Sequence, residues 1–384
     1  MKLPSIFSGT DRQAAREFSR LEPAFRDIVF YSEGAGDWPH LGPIVETLLN
    51  EHGRKVAYLS SDPADPGLRL KHELLRALDI GTGSTRTVLF RTIECREFVM
   101  TIPDLQNMWL KRSVHPVHYT YVFHSTNSTH TSYRKGAFDH YDTIMCVGPY
   151  HVDEIRRTEE IYGLKPKELV EAGSVKLDTV MHQFAGLPRR PEPNDPPEVL
   201  VASTWGQGSM IEGPVGEQVL RTLVDAGFST VLRLHPMTVR HHPDLPARLL
   251  AAFSDRPLFR LEQDMSATES WLRSDVMVSD WSGAATEYAF ALEKPVIFID
   301  TPQKIRNSDW HQLGYPAFED RVRSEVGTVV ADLNPPQLLH TTNELLSGNV
   351  RKRIAAVRAE SLFNPGRSAV VGATKLADSY PVSS

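Results

Sequence analysis

The chain has 384 residues, 41% hydrophobic and 23% charged, with a net charge of −6 at pH 7. That length suits two domains with cores of their own, and the composition excludes wholesale disorder and a general electrostatic pull toward nucleic acid. Two cysteines, Cys95 and Cys146, exclude a disulfide framework and a cysteine-rich metal site. The N-terminus lacks the apolar core of a signal peptide, and no later segment is apolar for long enough to span a bilayer. The expectation is a cytoplasmic protein that meets a membrane, if at all, from its inner face.

Ala14, Phe18, Leu21 and Phe25 recur at helical spacing among arginines, which predicts a docking helix over 10–25, with a basic membrane-surface helix as the alternative. From Asp27 the pattern is strand, turn, helix, repeated. Ile28 to Tyr31 predicts a strand, 32–37 (SEGAGD) a glycine-bearing loop, and Leu41, Ile44, Val45, Leu48 and Leu49 one face of a helix that stops near Gly53. Val56 to Leu59 predicts the second strand and Leu70 to Leu78 a helix. Thr87 to Phe90, Phe98 to Ile102, Tyr119 to Phe123 and Thr143 to Val147 predict further strands.

Residues 187–197, LPRRPEPNDPP, hold five prolines in eleven positions, a stiff linker that no helix or central strand tolerates. Alternation restarts with strands at Val199 to Ala202 and Thr230 to Leu234, helices through Val219 to Val224 and Leu249 to Phe253, and helices over 336–377 that could pack back on the first domain. The division expected is a first domain over 1–185, a linker over 186–197 and a second domain over 198–384. Residues 274–300, SDVMVSDWSGAATEYAFALEKPVIFID, form the clearest βαβ unit. Val276 to Val278 and Val296 to Ile299 are buried parallel strands, and the helix between them begins at Ser282 and Gly283. The fold class expected is α/β, two doubly wound Rossmann-like domains facing a cleft, with ligands beyond the carboxyl ends of the strands.

Candidate site residues follow from that rule. Free N–H groups at Ser282 and Gly283 favour an anion such as a phosphate, with a plain N-cap as the structural alternative. His124 and His130, in FHSTNSTH after a strand, are candidate general bases for an acceptor hydroxyl. His235, before Pro236, and Arg233 end a second-domain strand where a donor or a cation would stabilise a diphosphate. Ser203 and Thr204 end another, and Asp280 opens the turn before the phosphate-type helix start. The chain has no G-x-x-x-x-G-K-[ST], and Gly81-Thr82-Gly83 lacks a third glycine. Asp62 with Asp65, and His241 with His242, are read as turn and loop residues rather than metal ligands.

With FHSTNSTH, AGSVKLDTV, VLRLHP, DVMVSDWSGAATEYAFALEKPVIFID and QLGYPAFEDRVRSEVG in this order, the chain resembles the CDP-glycerol glycerophosphotransferase family of teichoic acid and capsule polymer enzymes. The resemblance implies a glycosyltransferase-B-type fold, His124 as the acceptor-side base, His235 on the donor diphosphate, Ser282 and Gly283 on phosphate, and Glu287 near the ribose. Two positions depart from the family pattern, His124-Ser125 in place of His-Gly and Ser282-Gly283 in place of Ser-Ser. The implied reaction moves a glycerol-phosphate-type group from a CDP-linked donor to a hydroxyl of a saccharide or lipid-linked acceptor, with no tightly bound cofactor and the question of a divalent metal open. A nucleotide-sugar transferase (UDP-, GDP- or CMP-linked) on the same scaffold is the alternative within the class. A non-catalytic nucleotide-diphosphate binding protein is the alternative outside it. Neither the oligomeric state nor the acceptor is legible.

Overall fold

The structure is a computed structural model and describes residues 9–107, 109–186, 193–262, 269–331 and 333–380. Seven parallel strands make the first sheet: β1 (Ile28–Ser32), β2 (Val56–Ser60), β3 (Leu75–Asp79), β4 (Glu97–Met100), β5 (His118–Val122), β6 (Thr143–Cys146) and β7 (Glu168–Glu171), in the order β3-β2-β1-β4-β5-β6-β7. Six make the second: β8 (Glu198–Ala202), β9 (Ser229–Arg233), β10 (Phe259–Glu262), β11 (Val276–Ser279), β12 (Val296–Ile299) and β13 (Gly327–Val330), in the order β10-β9-β8-β11-β12-β13. Strand order reverses between β1 and β4 and again between β8 and β11, so each domain opens a crevice at its own switch point. The central strands are buried from end to end, as sheets covered by helices on both faces require.

Two predicted elements are corrected. Residues 70–78 do not form a helix; their second half is β3, whose Leu75 and Leu78 are buried while Arg76 and Asp79 face solvent, as on an edge strand. Residues 87–90 lie inside a helix, Ser84–Thr92. The cause is topological, because a parallel neighbour needs a crossover and 84–92 supplies the one between β3 and β4. The linker's residues 187–192 lie outside the described residues.

The N-terminal helix Gly9–Ser19 docks Ala14 and Phe18 against the helix Ser84–Thr92, burying the face the membrane alternative needs. At the other end of the chain, helix Ser368–Ser379 packs on helix Trp38–Asn50 of the first domain. Asp178 accepts from the Gly366 and Ser368 amides, both at 2.7 Å, and pins that crossing. The domains also meet directly. Helix Gly283–Leu292 is buried from Ala285 onward and packs on helix Val175–Phe184 of the first domain, with Lys176 Nζ 2.7 Å from Glu287 Oε2. Among the described residues no helix is long and apolar enough to cross a membrane.

Candidate functional site

His124 follows β5 and is exposed to solvent, although protein walls the crevice around it. Its Nδ1 lies 3.1 Å from the Thr101 carbonyl at the end of β4. A carbonyl only accepts, so Nδ1 carries the proton and Nε2 keeps a bare lone pair. Burial lowers the ring's pKa against the bond to Thr101, with Lys176 and Arg306 also lowering it. His124 is therefore neutral at physiological pH and presents a proton acceptor.

His235 has the opposite arrangement. It caps the short helix Pro236–His241, and its Nδ1 accepts from the Met237 amide at 3.0 Å. The proton is then on Nε2, which makes this ring a donor. Burial, reinforced by the Lys304 charge, pushes its pKa down to about 4. It stays a neutral donor over the whole physiological range. The Lys176 ammonium of the first domain also lowers the pKa of both histidines.

Gly283 starts its helix half-buried, with the first-domain loop directly opposite. A Cβ at this position would meet Asn127 Oδ1 at 2.9 Å and Ser125 Oγ at 3.5 Å, so a side chain here would push on the first-domain loop. Ser282 is the N-cap and accepts from the Ala284 amide at 3.3 Å.

The remaining candidates take other places. Asp280 is fully buried and accepts from Ser203 Oγ at 2.5 Å, Thr204 N at 2.7 Å and Met210 N at 2.9 Å. It shapes the loop after β8, and Ser203 is spent on it. Thr204 is half-buried at the strand end. Arg233 lies 3.6 Å from Glu262 on β10 and over the Trp271 ring. Glu287 is buried against Lys176. His130 is buried with its Nδ1 3.3 Å from Glu154 and does not share the exposure of His124.

Two residues after β12, Lys304 and Arg306, escaped the sequence reading, and both gather at Trp205 after β8. Lys304 Nζ sits 3.4 Å from the Trp205 ring centroid and donates to the Trp205 carbonyl at 3.0 Å. The Arg306 guanidinium lies 5.8 Å from the same ring, and its amide donates to the Thr131 carbonyl of the first domain at 2.8 Å. Their signal was position alone, since both follow the carboxyl end of a central strand. Beside Trp205 a cavity of about 750 Å³ opens between the glycine-rich loop 206–213, His241, His242 and Pro302. Among the described residues no three His, Cys, Asp or Glu side chains are grouped to hold a metal ion.

No known protein-family pattern and no curated protein matches the chain. Solved structures do. The wall teichoic acid polymerase TagF superposes with a TM-score of 0.58 at 12% identity, over 96% of this chain and 93% of that one. A putative UDP-N-acetylglucosamine 2-epimerase from Listeria monocytogenes gives 0.61 at 13% identity, over 90% and 94%. S. aureus MnaA in its structure with UDP gives 0.58 at 11%, over 89% and 94%. At such identities the likeness is one of fold, and it gives this chain the two-domain, parallel-sheet architecture of the glycosyltransferase-B type.

Proposed function

We propose that the chain is a transferase that uses a nucleotide-diphosphate donor, with the acceptor on the first domain and the donor on the second. The observation that carries this is the pair of opposed tautomers, His124 of the first domain with a bare Nε2 and His235 of the second with a protonated one, with the Gly283 helix start facing the loop that follows His124. An acceptor hydroxyl needs a base, and a departing phosphate needs donors aimed at its oxygens.

The finer reading is transfer of a polyol phosphate from a CDP-linked donor. The acceptor oxygen attacks the distal phosphorus and forms a new P–O bond. The bond to the bridging oxygen breaks, CMP leaves with the electron pair, and the hydroxyl proton goes to His124 Nε2. His235 Nε2–H and the helix start would meet the charge on the phosphates. Such a reaction needs positioning and charge stabilisation more than a covalent intermediate. A glycosyl donor fits the same groups, and the UDP in the MnaA structure favours including it in the test.

The experiment is release of CMP or UDP on incubation with CDP-glycerol, CDP-ribitol and a panel of nucleotide sugars, with saccharide and lipid-linked acceptors. His124→Ala should lower kcat by about 10²–10⁴ and leave donor binding nearly intact. His235→Ala should weaken donor binding and lower kcat/KM by about 10²–10³. Loss of donor binding in His124→Ala would reverse the assignment of sides. If no donor releases nucleotide, the transferase reading fails.

A further inference from the structure

The loop after β12 is held at both ends. Asp300 takes an ion pair from Arg323 at 2.8 Å, the Thr301 carbonyl accepts from Trp281 Nε1 at 2.6 Å, and further along Lys135 of the first domain meets Asp309 at 2.8 Å. Between these anchors lie Lys304 and Arg306, two cations gathered at one indole ring. Among the described residues, no carboxylate comes within ion-pair distance of either. Glu212 is the nearest acid felt by Lys304, but its Oε1 already accepts from Thr238 Oγ1 at 2.7 Å and Gly206 N at 3.0 Å, and its Oε2 lies 3.4 Å from His242. Lys304 is half-buried and Arg306 exposed, and burial together with the Arg306 charge lowers the Lys304 pKa. The His235 ring lies 6.0 Å from the same Trp205 ring, and the Arg306 amide reaches the first-domain loop at the Thr131 carbonyl. Sites that hold unneutralised charge in a cleft are functional-site candidates.

We propose that Lys304 and Arg306, set by the Trp205 ring, form a subsite for a diphosphate, the doubly charged part of a donor whose phosphates His235 also contacts. The ligand class is a pyrophosphate ester. The two phosphoryl groups of a pyrophosphate ester, each carrying charge and spaced along one linkage, match two separate cations that have no carboxylate partner among the described residues. Trp205 is a positioning residue, because its ring and carbonyl fix the ammonium. This subsite rests on the nucleotide-diphosphate reading, and the test separates the two.

Calorimetric titration of the full chain with CDP, CMP, cytidine, UDP and inorganic pyrophosphate, for wild type, Lys304→Met, Arg306→Gln and the double variant, decides it. A charge-assisted bond removed from a phosphate changes affinity by about 10–100-fold, so each variant should lose about that factor for CDP, UDP and pyrophosphate and almost none for cytidine. Preference for CDP over CMP should vanish in the double variant. Its thermal midpoint should equal or exceed that of wild type, because the removed side chains repel each other. Diphosphate affinity within about twofold of wild type in the double variant, set against the larger factor above, would overturn the subsite, as would an equal loss for cytidine. If pyrophosphate binds through these charges but a nucleoside adds nothing, the subsite stands and the nucleotide-donor reading falls. If neither binds, both fall.

Discussion

A buried clasp joins the two domains away from the open histidines, and its chemistry makes a quantitative prediction. Glu319, on the second-domain helix Phe318–Val326, accepts from Ser128 N of the first domain at 3.1 Å and from Ser132 Oγ at 3.2 Å. The Phe318 amide donates back to Ser128 Oγ at 2.6 Å, and the Phe318 ring stacks on Tyr150 at 4.1 Å. Ser128 Oγ in turn donates to Glu154 at 2.7 Å, and His130 completes the cluster. Burial raises the Glu319 pKa from 4.5 to about 7, with the Glu154 charge adding to the rise. Glu154 itself is held low: burial opposes this, but His130 and Thr129 outweigh it. The His130 pKa is raised, Glu154 and Glu319 prevailing over burial.

The sign follows from linkage. A carboxyl whose folded pKa lies above its unfolded value binds more protons in the folded state between the two, so stability falls as pH rises. For Glu319 the window runs from 4.5 to about 7, and the loss between pH 5 and pH 8 is about 2–3 kcal/mol. His130 acts in the same direction, since its raised pKa contributes stability that is lost as pH rises through it. Glu154 contributes above its unfolded pKa and loses only on acidification. Glu319→Gln keeps the shape and removes the titration, so its melting temperature should vary less with pH than that of wild type, the difference between pH 5 and pH 8 being about 3 °C. Differential scanning calorimetry of both proteins at matched ionic strength measures it, and amide exchange at 128 and 318, corrected for intrinsic rates, shows whether the clasp itself loosens. Parallel midpoint curves for wild type and Glu319→Gln would refute the assignment of this carboxyl as neutral in the fold.

Other outcomes are expected at the crevice. Gly283→Ala gains up to about 1 kcal/mol of helix propensity but sets a methyl 2.9 Å from Asn127 Oδ1, the movable end of a side chain. Its melting temperature should stay close to wild type while KM for the donor rises, and an unchanged KM would place the anion elsewhere. Asp280→Asn replaces an acceptor of three donors by a group that must turn an N–H toward one of them. It should cost about 2–4 kcal/mol, read as a lowered midpoint in denaturant, and loosen the Trp205 loop.

Much of this fold was legible because burial on both faces writes parallel strands as short apolar runs. Val296 to Ile299 and Val56 to Leu59 could hardly be anything else, and once they are placed the strand-end rule leads to His124, His235 and Gly283 with no further information. Edge and outer strands carry no such mark. β7 reads ELVE, β10 reads FRLE and β13 reads GTVV, each too short and too mixed to stand out, and β3 hides in a segment whose leucines recur at helical spacing. Their conformation is imposed by the neighbour they pair with, which lies outside any local window.

Charge at the crevice was illegible for a related reason. Lys304 and Arg306 belong to no motif, and as residues in a polar loop they would pass for solvated surface. They become informative only when the fold shows Trp205, about a hundred positions earlier, fixing one of them, and the available acid, Glu212, already engaged elsewhere. The clasp makes the same point, since Ser128 and Glu319 are 191 positions apart. A sequence displays the groups that the backbone pattern places, such as a histidine after a strand or a glycine at a helix start. It does not display which cations lack a carboxylate beside them, because that property belongs to the assembled pair of domains.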